Sequence, residues 1–264
     1  MIFTIIFICV NGINMIVYNL HYLEKVPQEY FCTYSNTPAG AEPVSCKPED
    51  FCDDPNLVSY EANMVLDDSY DNLVGKLDLV CMSPGKIGFI GSSIFIGWFI
   101  SLVFVPRLAD LYGRKKLMIG GLLGIFLAYT VLMFTESYSL FVAAFFICGV
   151  LSTVRIQVCI IYMFENMPGR SISTSMTMFF CLEAVLGVWG SVYFTWVSKD
   201  WFWFLLQGYV MQALGAILVF CIPESPKWLV KSGLTSEAKV VLDSIAERNS
   251  AEKVNSERIE ELFG

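Results

Sequence analysis

Residues 106–116 read Pro-Arg-Leu-Ala-Asp-Leu-Tyr-Gly-Arg-Lys-Lys and lie between two apolar runs, residues 87–105 and 117–134. Each run is long enough to cross a bilayer as a helix, because about 20 residues span the hydrocarbon core. The stretch carries four cations and one acid, and cations collect in the cytoplasmic loops of membrane proteins. We therefore predict a tight antiparallel helix pair with a cytoplasmic connection. Gly113 is expected to make the turn, because glycine adopts positive φ without steric strain.

The composition places the chain among polytopic α-helical membrane proteins. Of its 264 residues, 55% are apolar and 16% are charged, whereas a soluble domain has about 25% charged residues. No basic patch with interleaved aromatic residues is present, which argues against nucleic-acid binding. One histidine and the absence of a carboxylate cluster, a Ser–His–Asp set or a phosphate loop argue against an enzyme, a metal site or a cofactor.

The apolar runs predict six membrane spans. A signal peptide is the alternative for the first run, but that run has no basic leader and no small-residue cleavage site. In the third run, Gly120 and Gly124 have the GxxxG spacing that allows close helix packing. The predicted spans are residues 1–20, 87–105, 117–134, 138–164, 171–197 and 201–222.

Residues 21–86, between the first two spans, form a long acidic loop. The loop has twelve acidic residues and four lysines, a net charge of −8, and several prolines. Cysteines in such a loop indicate an extracellular, oxidising environment. Four cysteines allow three disulfide pairings, the sequence does not choose among them, and four free thiols are the alternative. The disulfide candidates are Cys32, Cys46, Cys52 and Cys81.

The connection between the second and third spans carries a recognisable motif. Leu-Ala-Asp-x-x-Gly-Arg-Lys at residues 108–115 resembles the signature loop of the major facilitator superfamily of secondary transporters. Two positions depart from that loop, since Pro106 replaces the usual Gly and Leu111 replaces the usual Arg or Lys. The resemblance implies that Asp110 and Arg114 help to hold a cytoplasmic gate closed. The alternative is a positive-inside anchor and nothing more.

Two further segments resemble one branch of that superfamily. Asp-Leu-Val-Cys at residues 78–81 resembles the end of the outer loop of organic cation and organic anion transporters. Pro-Glu-Ser-Pro-Lys-Trp-Leu at residues 223–229 resembles the Pro-Glu-Ser-Pro-Arg-Trp-Leu that follows the sixth span of organic cation and sugar transporters. Lys227 replaces the Arg, which keeps the charge and loses its bidentate geometry.

The resemblance implies an all-α membrane protein, the N-terminal six-helix half of a major facilitator fold. Residues 1–222 are expected to form the six-span bundle, with the large extracellular loop at residues 21–86. Residues 223–264 are expected to form short cytoplasmic helices, including an amphipathic helix over residues 236–248, and the second half of the fold is missing. The predicted gating motif comprises Asp110, Gly113, Arg114, Lys115, Glu165, Arg170, Glu224 and Lys227.

Arg155 and Glu183 are charges inside predicted spans four and five, where a lone charge is unfavourable by several kcal/mol, about 3 or more. At 1.5 Å per residue they lie roughly 15 and 18 Å from the inner ends of antiparallel neighbouring helices, so they can pair. The pair is either a site for substrate or a coupling ion, or a structural ion pair. Asn11, Asn14 and Gln157 are further polar candidates at membrane depth. The resemblance implies that spans one, two, four and five line the substrate path.

The predicted function is secondary active transport of small organic solutes, organic cations or anions, by alternating access. The alternative is a half-length protein that does not transport, but dimerises with or regulates a full-length transporter, or is a gene fragment. The expected partners are a small organic solute, the lipid bilayer, and either the missing six-helix half or a second copy. We expect a multi-pass plasma-membrane protein with a cytoplasmic C-terminus.

Overall fold

The computed structural model describes residues 11–35, 42–66, 69–167 and 169–248, which are mostly helical. Three strands, β1 (Tyr30–Tyr34), β2 (Val44–Cys46) and β3 (Leu57–Ala62), lie in the outer loop. The helices are α1 (Asn14–Tyr18), α2 (Leu20–Leu23), α3 (Pro48–Phe51), α4 (Leu73–Lys76), α5 (Pro84–Ser101), α6 (Val105–Tyr112), α7 (Arg114–Phe134), α8 (Tyr138–Thr153), α9 (Cys159–Asn166), α10 (Gly169–Val192), α11 (Trp201–Leu218), α12 (Pro226–Lys231) and α13 (Thr235–Arg248). Short π-helical segments at Val154–Val158 and Tyr193–Val197 and a 3₁₀ turn at Val219–Cys221 extend α8, α10 and α11.

Within the described ranges, four continuous helices are long and apolar enough to cross a membrane. They match predicted spans three to six within three residues and run over Arg114–Phe134, Tyr138–Asn166, Ser171–Val197 and Trp201–Cys221. A bent pair, α5 and α6, is a fifth candidate. Residues 1–10 of the predicted first span lie outside the described residues, so the count of six spans stays a prediction.

The joint between spans two and three corrects the predicted tight turn. The apolar run of span two does not stay one straight helix, because α5 ends at Ser101 and α6 bends away from it by 51°. Most of the predicted turn is therefore helical. Pro106 fits the first turn of α6, because the N–H groups of a first helical turn have no partner within the helix, so the N–H group that proline lacks is not needed there. Gly113 then separates α6 from α7 with a φ of +98°, as predicted.

The outer loop corrects the prediction of an all-α fold. It contains a three-stranded antiparallel sheet in the order β2-β1-β3, with Tyr30 opposite Cys46 and Ala62. Disulfides join Cys32 to Cys46 and Cys52 to Cys81. Aromatic and β-branched residues favour strands, and Tyr-Phe-Cys-Thr-Tyr of β1 is such a run, although it is too short to stand out in a proline-containing loop.

The end of the loop is fixed to the helix bundle. Asp71 forms two backbone hydrogen bonds of 3.0 Å, one to the Lys199 carbonyl oxygen and one from the Trp201 N–H. Lys76 Nζ donates to the carbonyl oxygens of Leu132 and Met133, at 2.6 and 3.0 Å, near the C-terminal end of α7. These contacts hold the loop against the outer ends of spans three and six.

Lys76 gives a pH-dependent prediction, because burial lowers the pKa of its ammonium from 10.5 to about 8. As the pH rises, the folded chain releases this proton at a lower pH than the unfolded chain does. The contribution of Lys76 to the free energy of unfolding is therefore fully present above about pH 10.5 and is lost as the pH falls through about 8. We expect the free energy of unfolding of the wild type, relative to Lys76→Met, to rise between pH 7 and pH 10. Lys86→Met, at the exposed start of α5, is the matched control for the loss of a lysine. A flat difference for Lys76→Met contradicts the prediction.

Topology is testable by labelling the loop cysteines. After reduction of intact cells, a membrane-impermeant thiol reagent is expected to modify Cys32, Cys46, Cys52 and Cys81 from outside, as assigned by peptide mass mapping. Labelling of these four only after permeabilisation would overturn the predicted orientation.

Glycines set the distance between spans two and four. A Cβ atom added to Gly97 of α5 would overlap the backbone of α8, and one added to Gly149 of α8 would overlap the backbone of α5. The two helices therefore touch backbone to backbone. In α7, Gly124 packs on Leu151, as predicted, whereas the space beside Gly120 is open.

Candidate functional site: a buried charge bridge and a cytoplasmic charge network

A cavity of about 350 Å³ lies between α1, α5, the α8 region and α10. These elements belong to spans one, two, four and five. The walls combine apolar side chains with a small polar set, the usual make-up of a small-molecule site. The polar, charged or hydrogen-bonding side chains that line the cavity are Asn14, Tyr18, Trp98, Ser152, Arg155 and Glu183.

Asn14 connects the two charges. Its side-chain oxygen accepts a hydrogen bond of 2.9 Å from Arg155 Nη2, and its Nδ2 group donates to Glu183 Oε1. All three side chains are buried, and Arg155 is only 2% exposed. The structure thus brings Arg155 and Glu183 into one site, with the Asn14 amide between them, rather than in direct contact. The polarity of the amide suits both ends, since its oxygen faces the cation and its N–H faces the carboxylate.

Arg155 retains hydrogen-bonding capacity. Its Nε and Nη1 atoms are buried and have no hydrogen-bond partner among the described residues, and the same holds for Trp98 Nε1. Arg155 lies in the π-helical segment Val154–Val158, which interrupts span four. Single π-helical turns are rare inside α-helices and are frequent at functional sites.

The other polar candidates divide into two groups. Asn11 is fully buried and accepts a hydrogen bond of 3.3 Å from Asn14 Nδ2, so it supports the bridge. Gln157 lies on the π-helical segment, half-buried, and does not line the cavity. Sequence reasoning missed Gln212 of α11, which is fully buried and packs against Gly12. Its signal was available, since it is a polar side chain within an apolar span.

A second charge network, which we call the cytoplasmic network because the predicted topology places it on that side, is centred on Arg114. Its Nε and Nη2 atoms donate to the two oxygens of Glu165 at 3.2 and 3.0 Å, a bidentate pair, and Nη2 also lies 2.8 Å from Asp110. Arg114 and Glu165 are nearly buried, whereas the side chain of Asp110 is 57% exposed. A bidentate Arg–carboxylate pair of low exposure is the strong form of this interaction. It joins the start of span three to the end of span four.

Glu224 caps span three from a distant part of the chain. Its Oε1 atom accepts three hydrogen bonds of 3.0 Å, from the backbone N–H groups of Arg114, Lys115 and Ser225. The first N–H groups of a helix have no partner inside it, and a carboxylate there also interacts favourably with the helix dipole. Trp228 Nε1 adds a hydrogen bond of 2.8 Å to the Asp110 carbonyl oxygen.

Three remaining members of the predicted gating motif differ in their placement. Lys115 Nζ donates to the Phe220 carbonyl oxygen at 3.2 Å, near the end of span six. Lys227 is exposed on α12, and the structure does not bring it into the Arg114–Glu165 pair. The side chain of Arg170 lies outside the described residues. In the described part of the chain, no group of three His, Cys, Asp or Glu side chains is placed to hold a metal ion.

Comparison with known proteins decides the family. The sequence profile of the sugar (and other) transporter family matches residues 1–262. The chain belongs to this family. Members similar to it include the arabinose-proton symporter of Bacillus subtilis, 26% identical over 201 residues. The human solute carrier family 22 member 2 is 23% identical over 178 residues, and the rat organic cation/carnitine transporter 2 is 26% identical over 179 residues.

The family's fold is seen in solved structures as well. The xylose transporter XylE of E. coli, in a partially occluded inward-open conformation, matches 98% of this chain with a TM-score of 0.55 at 15% identity. These matches show that the chain has the architecture of the major facilitator fold and is a multi-pass integral membrane protein. The chain spans 43% of the arabinose symporter, 32% of the human and of the rat relative, and 56% of the XylE chain. These relatives are named as a symporter, a solute carrier and a transporter.

Proposed function

We propose that this chain forms the solute-binding and gating bundle of a secondary transporter that moves a small organic solute, organic ions included, by alternating access. The observation that carries the proposal is the buried bridge from Arg155 through Asn14 to Glu183 beside a cavity. Ionisable groups at membrane depth are unfavourable and mark solute or ion pathways. Three different spans contribute the bridge, so a change at one residue reaches the other two helices.

The bridge offers a way to couple binding to movement. Glu183 holds Asn14 through its carboxylate, and Asn14 in turn occupies one edge of the Arg155 guanidinium. A proton or a cationic solute at Glu183 weakens the first hydrogen bond, because it neutralises the acceptor. Asn14 is then free to turn, and Arg155 loses a partner on a neighbouring span. Occupancy of the cavity thereby alters the contact between spans one, four and five.

The cytoplasmic network is proposed to act as the gate. The Arg114–Glu165 pair and the Glu224 cap tie the inner ends of spans three and four to the segment after span six. Separation of these elements requires that the bidentate pair and the cap break. The cytoplasmic entrance is therefore expected to open only when the free energy of solute or ion binding offsets the loss of the bidentate pair and the cap.

Uptake by reconstituted vesicles tests the proposal. The chain is reconstituted and supplied separately with labelled arabinose, xylose and carnitine, three solutes that the names of similar proteins contain, and with tetraethylammonium as a simple organic cation. We expect flux of at least one of them, and loss of that flux in Arg155→Gln protein. Folded protein that moves none of the four counts against the proposal and favours the alternative of a half-length, non-transporting protein.

Asp110→Asn is expected to change gating more than folding. The side chain is exposed and contributes one ion pair to Arg114, while the bidentate Glu165 contact remains. An exposed ion pair contributes about 0–1 kcal/mol to stability, so the variant is expected to reach the membrane in normal amounts. The ratio of inward-facing to outward-facing protein, measured by accessibility of an introduced cytoplasmic-side cysteine, is expected to rise. Failure of the variant to reach the membrane removes support for a gate role.

A further inference from the structure

A second cavity, of about 860 Å³, lies on the outer side of the bundle. It is bounded by the segment after α2, by the outer loop around the Cys52–Cys81 disulfide, and by the first turns of α5. Lys47, Glu49 and Gly88 on its walls are exposed, so the cavity opens to the extracellular side of the predicted topology. Its volume is within the range of about 300–1,000 Å³ typical of small-molecule sites.

Glu24 is the central charge of this outer cavity. Its Oε1 atom is buried and has no hydrogen-bond partner of normal geometry among the described residues, and no cation of those residues lies within ion-pair distance of it. The backbone of α5 at Gly91 approaches this carboxylate, since a Cβ atom added there would lie 3.1 Å from Oε1. A half-buried carboxylate without a cationic partner is costly, and its positive partner is therefore expected from outside the chain.

The charges around Glu24 leave the outer cavity negative. Glu49 and Lys47 are the other charged groups on its walls, so two acids face one lysine and the net charge is −1. Lys25, next in the chain, is directed elsewhere, with its Nζ atom 5.7 Å from the centre of the Tyr70 ring. On α5, no charged side chain lines the outer cavity.

The apolar walls indicate the kind of cation. Val26, Pro27, Val80, Met82 and Ile87 line the outer cavity together with the disulfide. A divalent metal ion prefers six or more oxygen ligands, which two carboxylates and a lysine do not supply. A cation that carries alkyl groups matches both the negative charge and the apolar surface.

We propose that the outer cavity is a binding site for a small organic ammonium ion, with Glu24 as its counter-ion. The site lies on the outer side of the chain and is separate from the cavity at Arg155 and Glu183. A proton competes with the ammonium ion for the same carboxylate. Burial raises the pKa of Glu24 to about 7, although the Gly91 backbone offsets part of that shift, so the competition falls near neutral pH. Binding is expected to be strong above pH 7 and to weaken as the pH falls below it.

Equilibrium dialysis of radiolabelled tetraethylammonium against the purified full chain in lipid nanodiscs tests the site. We expect the dissociation constant to be about tenfold higher at pH 6 than at pH 8, since the ionised fraction of Glu24 falls about tenfold. Glu24→Gln is expected to raise the dissociation constant at pH 8 at least tenfold and to remove the pH dependence. Glu61→Gln, an exposed acid of the same loop that does not line the outer cavity, is the matched control and should bind as the wild type does.

Two further variants separate the possible outcomes. Gly88→Phe fills the outer cavity while Glu24 stays intact, and the space beside Gly88 is open, so the fold is expected to tolerate it and binding is expected to be lost. Gln157→Leu lies outside the outer cavity and is expected to bind normally. No binding by the wild type, binding that is independent of pH, or binding that persists unchanged in Glu24→Gln and Gly88→Phe overturns the proposal. Dialysis measures binding and not transport, so this experiment tests the outer cavity even if the vesicle assay shows no solute flux.

Discussion

Arg155→Gln and Glu183→Gln are each expected to lower the free energy of unfolding by about 3–5 kcal/mol. Each substitution leaves one buried charge without its counter-charge, and Asn14, which bonds to both, cannot neutralise either of them. The unfolding free energy is measured by denaturant titration of purified protein in mixed micelles. Gln157→Leu is the matched control, because Gln157 lies on the same π-helical segment and does not line the cavity.

The double variant Arg155→Gln/Glu183→Gln separates structure from function. Removal of both charges is expected to restore most of the lost stability, because no buried charge remains uncompensated. If the bridge is only structural, vesicle uptake recovers with stability. If Glu183 binds a cation or a proton, uptake stays lost while stability recovers. Strictly additive destabilisation in the double variant would show that the two residues do not interact, against the geometry through Asn14.

The spans were predictable from the sequence because hydrophobic length is a local property. Spans three to six agree with the described helices within three residues, since the surrounding turns are marked by charges and by Pro or Gly. Gly113 was predictable for the same reason, as a glycine at the end of an apolar and basic stretch. The bend after Ser101 was not, because the apolar run continues through it without a change in composition.

The centre of the site was only partly predictable. Depth along the helices placed Arg155 and Glu183 at similar levels, and the structure brings both to one cavity. Their connection through Asn14 depends on where span one places that side chain relative to spans four and five, which no periodicity reveals. The sheet of the outer loop was missed for a similar reason, since β1, β2 and β3 pair across long separations in the chain and are held by the disulfide between Cys32 and Cys46.

Gly113→Ala is expected to disrupt the cytoplasmic network strongly, although it adds only one methyl group. Gly113 has a φ of +98° and a ψ of 156°, a conformation that is essentially restricted to glycine and is unfavourable for alanine by about 1–3 kcal/mol. The new Cβ atom would also lie 2.7 Å from Glu224 Oε2, so the carboxylate has to move away from the N–H groups that it caps. Loss of that cap leaves the N–H groups of Arg114 and Lys115 unsatisfied, a further penalty of about 1–3 kcal/mol.

Gly120→Ala is the control for Gly113→Ala, because it adds the same methyl group at a position with open space around it. Gly120 lies within α7, the helix that begins directly after Gly113, is exposed, and has open space where the Cβ atom would lie. Alanine in a helix interior is favoured over glycine by about 1 kcal/mol, so this variant is expected to be as stable as the wild type or more so. Denaturant titration of both variants gives the comparison, and accessibility of cytoplasmic-side cysteines shows whether the network has opened. Equal stability of Gly113→Ala and Gly120→Ala would mean that Glu224 adjusts without loss. The capped junction would then contribute little to the closed gate, because the strain at Gly113 and the three hydrogen bonds to Glu224 are the contacts that distinguish the two sites.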